Sequence, residues 1–111
     1  MMQITMPRGD LRPIEFQVNL QKVPYTEFDE IYFTVKKTVS NKEFVIQKTL
    51  SGGDIILDGG SYTFNIEPED TDDLDYGTYV FDIELIKVGE IKQTFVGQLT
   101  LTSEVTFAEN E

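Results

Sequence analysis

Apolar and polar residues alternate along most of this chain. Between positions 14 and 20, Ile, Phe, Val and Leu take every second place, and Glu, Gln and Asn take the places between them. A period of two puts the apolar side chains on one face of a β-strand, so this segment is predicted to be half-buried. Similar alternation, or in 55–57 a short apolar run, predicts strands in seven segments: 14–20, 31–35, 44–47, 55–57, 62–66, 79–85 and 95–101.

Turn-forming residues separate these segments at strand-like intervals. This spacing predicts an all-β fold, an antiparallel sandwich or barrel of seven to eight strands. We expect residues 1–111 to form one domain, in which 102–111 either extend the last strand or lead to a partner. Pro68 to Leu74 is the best helical candidate, and it predicts one turn at most. The predicted turns are Arg8-Gly9-Asp10, Val23-Pro24-Tyr25, Ser40-Asn41-Lys42, the glycine pairs 52–53 and 59–60, and Val88-Gly89-Glu90.

The most informative local pattern runs from Asp75 to Phe81 and reads Asp-Tyr-Gly-Thr-Tyr-Val-Phe. It resembles the corner before strand F of the immunoglobulin fold, written Asp-x-Gly-x-Tyr-x-Cys. On that interpretation Gly77 relieves a tight crossover, and Tyr79 buries its ring while its hydroxyl bonds to upstream backbone. Leu74 would close the bottom of the core. The alternative is an ordinary glycine turn before an aromatic strand.

Phe81 stands where the corner pattern has a cysteine, and the chain contains no Cys and no Trp. Phe33 is therefore expected to replace the tryptophan of strand C. The predicted fold is an immunoglobulin-like antiparallel β-sandwich with no disulfide. Its predicted core consists of Phe16, Val18, Leu20, Ile31, Phe33, Val35, Phe64, Ile66, Leu74, Tyr79, Phe81, Ile83, Leu85, Phe95, Leu99 and Leu101.

Composition and charge narrow the classes of function. The 111 residues include 20 acidic and 9 basic side chains, a net charge of −11, and no histidine. Without Cys or His the chain lacks the ordinary ligands of structural zinc and the usual cysteine or Ser–His nucleophiles. An acidic chain repels phosphate backbones, so we expect no nucleic-acid partner. No window approaches 18 apolar residues and no secretory signal is visible, so we expect no membrane span and no secretion by a signal peptide.

Six acidic residues lie between positions 67 and 75. Clustered carboxylates are the ligands that calcium prefers, but their spacing does not match the Asp-x-Asp-x-Asp-Gly loop. A solvated loop with capping roles is the favoured interpretation, and we expect no metal or cofactor. The calcium candidates, should the loop bind one, are Asp70, Asp72, Asp73 and Asp75.

Two further features have a functional and an ordinary interpretation. Arg8-Gly9-Asp10 spells the tripeptide that integrins recognise, but a glycine between charged residues is also a common turn, here expected to join the first two strands. Tyr25, Tyr32 and Tyr76 suit stacking on sugars, whereas cross-strand packing is the commoner role of such rings.

Paired acids can hydrolyse glycosides, but none is placed in an apolar segment, so we expect no enzymatic activity.

Taken in order, these motifs cover nearly the whole chain. The order is similar to that of small immunoglobulin-like domains of bacteriophage and prophage structural proteins, including the N-terminal domain of baseplate upper proteins of Firmicutes phages. The segments that carry the resemblance are Ile4-Thr5, Arg8-Gly9-Asp10, 31–36, 62–66, the Pro-Glu-Asp-Thr crossover within 67–74, Tyr76-Gly77-Thr78-Tyr79, 81–85, 97–102 and 104–106.

The resemblance implies a non-enzymatic structural or assembly protein of a tail, baseplate or head decoration. Its implied partners are other phage structural proteins or further copies of itself, as in a homo-oligomer. Its implied location is the virion, or the bacterial cytoplasm before assembly. Two alternatives stay open: a cell-surface adhesion or carbohydrate-binding immunoglobulin-like module, and a small enzyme or enzyme accessory.

Overall fold

The structure is a computed structural model in which residues 2–103 are described. They form ten strands and one short helix. The tail positions 104–111, whose role was predicted above, lie outside the described residues. The elements are β1 (Met2–Pro7), β2 (Arg12–Phe16), β3 (Asn19–Leu20), β4 (Val23–Pro24), β5 (Glu30–Lys36), β6 (Ile46–Thr49), β7 (Ile56–Asp58), β8 (Ser61–Ile66), α1 (Pro68–Thr71), β9 (Gly77–Lys87) and β10 (Ile91–Thr102).

Two open sheets face each other, which confirms the all-β sandwich. One sheet has the order β1-β10-β9-β5-β6 and the other the order β2-β8-β7. These eight strands match the predicted number, but β3 and β4 form an additional two-stranded ribbon. The sheets are not wholly antiparallel, because β1 pairs with β10 in parallel. The chain crosses to the opposite sheet after β1, and β1 lies along the edge of β10. Alternation with a period of two does not reveal whether neighbouring strands run parallel or antiparallel, so the sequence did not indicate this pairing.

Aromatic rings join the two sheets at the centre of the core. Phe33 of β5 is fully buried, with its ring centroid 4.6 Å from that of Phe64 in β8 and 5.2 Å from that of Phe81 in β9. Burial of each such side chain contributes about 1.5–3 kcal/mol. The predicted core residues that are buried are Ile31, Phe33, Val35, Phe64, Ile66, Tyr79, Phe81, Ile83, Leu85, Leu99 and Leu101.

Gly97 permits the close approach of three strands at this centre. A side chain on Gly97 would collide with the ring of Phe81, and its Cβ would lie 2.6 Å from the carbonyl oxygen of Met2. Glycine in a strand often marks such a point, where another backbone comes near. The β1–β10 pairing and the seating of Phe81 therefore both depend on it.

The predicted core is wrong at two positions. Leu20 is 42% exposed and Phe95 is 45% exposed, while Phe16, Val18 and Leu74 are half-buried against the core. The predicted strand 14–20 is two elements rather than one, because β2 ends at Phe16 and Leu20 belongs to the separate β3–β4 ribbon. The core also contains residues that the prediction left out: Ile4, Met6, Phe28, Ile46, Ile55 and Tyr62.

The ribbon after β2 replaces a predicted turn. Gln21 and Lys22 adopt φ values of 54° and 68°, so they form the two-residue turn between β3 and β4. Two-residue hairpin turns with positive φ at both positions match the twist of the flanking strands. Val23 and Pro24, predicted as part of a turn, belong to the second strand of this ribbon. Neither Gln nor Lys carries the Gly or Asn signal of such a turn, so the sequence did not reveal it.

The single helical turn appears where it was predicted and ends at Thr71. Pro68 begins it, and the backbone N–H of Glu67 donates to a carboxylate oxygen of Asp70 at 2.7 Å. This reach of a side chain back to the start of a helix satisfies a donor that the helix cannot. The helix therefore fixes the crossover between β8 and β9.

Candidate functional site

The predicted corner residues lie together where the chain enters β9. The Tyr79 hydroxyl donates a hydrogen bond to the carbonyl oxygen of Asp75 at 2.8 Å, and the Tyr79 ring is buried. Gly77 has a φ of 129°, a conformation that residues with a side chain rarely adopt. Burial, and then the charge of Asp75, raise the pKa of Tyr79. Leu74 packs half-buried against the core, and Phe81 is buried. This arrangement stiffens the crossover.

The Arg8-Gly9-Asp10 turn is docked on the same crossover. The backbone N–H of Gly9 donates to the hydroxyl of the fully buried Thr71 at 2.8 Å. The guanidinium of Arg8 donates to the carbonyl oxygen of Leu74 at 3.3 Å and lies 4.3 Å from the ring centroid of Tyr76. Arg8 is therefore engaged within its own chain, in contrast to the displayed arginine that receptor recognition requires. The sequence around Arg8 gave no signal that predicted its contacts with Leu74 and Tyr76.

The acidic residues of the crossover serve the fold in different ways. Asp70 forms an ion pair with Lys48 at 2.8 Å in addition to its bond from the Glu67 backbone. Asp75 contributes its carbonyl oxygen to the corner, and Asp72 and Asp73 are exposed. Among residues 2–103, no three His, Cys, Asp or Glu side chains are grouped so that they could hold a metal ion.

An apolar groove opens where β2 ends. It has a volume of about 300 Å³ and is lined by ten residues, none of which is charged or titratable. Both mispredicted core residues, Leu20 and Phe95, lie in this lining. Because seven of the ten lining side chains are apolar, the groove is suited to binding apolar side chains. The apolar lining residues are Met2, Phe16, Val18, Leu20, Ile83, Leu85 and Phe95.

The groove borders the part of the β10 edge that no other described strand covers. β1 covers β10 only from Gly97 to Thr102. In the part of the chain that the structure describes, no strand pairs with the outer edge of β10 between Ile91 and Val96. An unpaired edge presents free backbone donors and acceptors, which is how extended segments add to sheets. We call this groove and edge together the open end.

The carboxylate with a raised pKa lies away from the groove. Asp82 is on the outer face of β9, where partial burial and then the neighbouring Glu84 raise its pKa, and Lys36 opposes the shift. Its register partners are Thr34 of β5 and Val96 of β10. Asp82 therefore lies on the opposite face of the sheet from the groove-lining Ile83 and Phe95.

Comparisons with known proteins identify no family for this chain. No family model matches this chain, and no curated protein matches it. A solved structure described as a "putative glycoside hydrolase" from Bacteroides vulgatus is similar over 92% of this chain, with 15% identity and a TM-score of 0.45. This chain spans 17% of the length of that protein. At that level of similarity the likeness carries no information on activity. No helix within residues 2–103 is long and apolar enough to cross a membrane.

Proposed function

We propose that this protein is a non-enzymatic assembly component of a bacteriophage or prophage particle, acting through protein–protein contacts in a tail, baseplate or head decoration. The observation that supports it is the open end. The groove is lined by no charged residue although the chain carries a net charge of −11, and it lies beside the part of the β10 edge that no strand within residues 2–103 covers. Apolar patches rimmed by polar surface are typical of protein-binding sites. The resemblance in motif order points to the phage context.

Strand order supports the immunoglobulin-like part of this proposal. The runs β10-β9-β5-β6 and β2-β8-β7 correspond to the G-F-C-C′ and B-E-D orders of that fold. The tyrosine corner then falls at the start of strand F, as in that fold. β1 lies beside β10 in the first sheet, which adds a strand to that edge. Such domains present loops and edges to partners and need no chemistry of their own.

The adhesion or carbohydrate-binding alternative has less support from the tyrosines. The ring of Tyr25 packs edge-on against the buried Phe28, with centroids 4.8 Å apart. Tyr76 lies against the guanidinium of Arg8, and Tyr32 is half-buried. A sugar platform needs an aromatic face free for stacking, whereas the rings of Tyr25 and Tyr76 each already have a neighbour within the chain.

Particle incorporation tests the proposal. A tagged copy is expressed in host cells while phage or prophage particles are produced, and the particles are purified on a density gradient. We expect the tagged chain to sediment with the particles, and Phe95→Glu to reduce its incorporation at least about tenfold, because a charge in the groove is costly to bury. Phe44→Glu is the matched control, since Phe44 is also exposed but lies outside the groove. A chain found only in the soluble fraction would contradict the proposal.

A further inference from the structure

We propose that the open end binds a second copy of this chain, with the free edge of β10 pairing antiparallel to the same edge of the other copy. The two-fold axis would pass beside Gln93. This inference rests on the proposed function, for which it names one partner and one surface. Two-fold dimers are the commonest protein assembly, and they require a surface that is complementary to itself.

The backbone of this edge has a defined orientation. Arg8 donates its backbone N–H to the carbonyl oxygen of Thr102, so the backbone groups of Thr102 point away from β9. Orientation alternates along a strand, so the backbone groups of Lys92 and Thr94 also point outward. Within residues 2–103 no neighbouring strand receives them. Lys92 and Thr94 therefore offer two donors and two acceptors to an incoming strand.

A register centred on Gln93 satisfies all of these groups. Lys92 of each copy then lies opposite Thr94 of the other, and each such pair exchanges two backbone hydrogen bonds, giving four in total. The paired segment, 91–95, stops short of Gly97, where β1 begins to cover the edge.

The side chains in this register are matched on both faces of the sheet. Ile91, Gln93 and Phe95 share the core-facing side, because they pair with Lys87, Leu85 and Ile83 of β9. In the dimer, Ile91 of one copy lies opposite Phe95 of the other, and the two Gln93 amides meet at the axis. Cross-strand pairs of aromatic and β-branched residues each contribute about 0.2–1 kcal/mol. The exposed part of Phe95 and the groove beneath it thus gain an apolar neighbour.

No like charges face each other within the paired segment 91–95, although the net charge of −11 makes two whole chains repel each other at long range. Residues 91–95 include no acid and one base, Lys92. Its ammonium group lies 3.9 Å from the Glu84 carboxylate of its own copy, and the residue it would face is Thr94. Like charges directly opposite each other destabilise strand pairs, and this register contains none.

Mass in solution tests the proposal. Light scattering over a wide concentration range should show the mass rising from 12.7 kDa toward about 25 kDa, that of two chains. Thr94→Pro should lower the association constant at least about tenfold, because it removes one outward N–H of the edge. Thr94→Val keeps that N–H and should dimerise like the wild type. A wild-type mass of 12.7 kDa at all concentrations would overturn the inference.

Single cysteines test the register, and they cover the case in which Thr94→Pro fails to fold. The chain has no native cysteine, so each variant carries one thiol. Two Gln93 residues facing each other across the axis have Cα atoms about 4.5 Å apart, within disulfide range. Gln93→Cys should therefore form a covalent dimer under mild oxidation, whereas Thr94→Cys, whose own counterpart lies beyond about 7 Å, should not. Equal cross-linking of the two variants would refute this register.

The two proposals fail separately. A dimer with the expected cross-link but no incorporation into particles leaves the edge inference standing and removes the phage function. A chain that enters particles but stays monomeric and uncross-linked in solution removes the edge inference alone.

Discussion

One hydroxyl group fixes the start of β9. The Tyr79 hydroxyl reaches the carbonyl oxygen of Asp75 from a buried ring. Tyr79→Phe removes that donor and leaves the carbonyl without this partner, so we expect a loss of about 1 kcal/mol in the free energy of unfolding. Urea denaturation measures it. Tyr32→Phe is the control, because Tyr32 is half-buried on the outer face of β5. Equal midpoints for both variants would contradict a role for the corner bond.

The carboxylate of Asp82 makes stability depend on pH. Burial and Glu84 raise the pKa of Asp82 above its usual 3.8. The ionised form is therefore disfavoured in the folded state, and its cost is present above the raised pKa and disappears as pH falls through 3.8. Asp82→Asn should raise the free energy of unfolding at pH 7, and the gain should vanish near pH 3. Denaturation at both pH values checks this, with the exposed Asp72→Asn as control. A gain that persists at pH 3 would contradict it.

Some of these residues could be predicted from the local sequence pattern, whereas the roles of others were visible only in the structure. Tyr79, Phe81 and Phe33 were predictable because a corner motif and an alternating strand are short-range signals. Thr71 and Arg8 were not, since their partners Gly9 and Leu74 lie 62 and 66 positions away along the chain. Such contacts arise from the crossing of the chain between sheets, which no local periodicity encodes.

At the scale of elements, the docking of the first turn on α1 depends on Thr71. Its hydroxyl accepts the backbone N–H of Gly9 while the side chain is fully buried. Thr71→Val keeps the shape but removes the acceptor, so we expect a loss of about 1–3 kcal/mol from the unsatisfied N–H. Thermal or chemical denaturation measures the loss. Thr5→Val is the control, because the Thr5 side chain is exposed on β1. A change no larger than that of the control would show that the hydrogen bond between Gly9 and Thr71 contributes little to the free energy of unfolding.

Element boundaries show where the sequence signal ends. The period of two located β5, β8, β9 and β10, and Pro68 located the helical turn. Alternation continues through residues 14–20, although the chain leaves the second sheet after Phe16. The core-facing side of Phe95 was therefore predictable, but its exposure was not, because exposure depends on whether a strand of the opposite sheet reaches that far. The candidate site includes Phe95, whose position on the core-facing side could be predicted from the sequence and whose exposure could not.

At the scale of the whole molecule, net charge should control self-association. Each copy carries −11, so two copies repel each other at long range even though the paired edges are not acidic. The Debye length falls from about 30 Å at 0.01 M salt to about 3 Å at 1 M. Raising salt should therefore strengthen the dimer severalfold, as measured by sedimentation. Weakening by salt would indicate that attraction between charges, rather than edge pairing, holds the copies together.

The parallel pairing of β1 with β10 also has a mechanical consequence. Six register pairs, from Met2 with Gly97 to Pro7 with Thr102, join the first and last described strands side by side. Tension applied near residues 2 and 102 would pull these strands in opposite directions along their length. It would load the bonds of the ladder in shear, all at once, rather than opening them one after another. The described part of the domain should therefore resist stretching between residues 2 and 102 more strongly than a sheet whose terminal strands open one bond at a time.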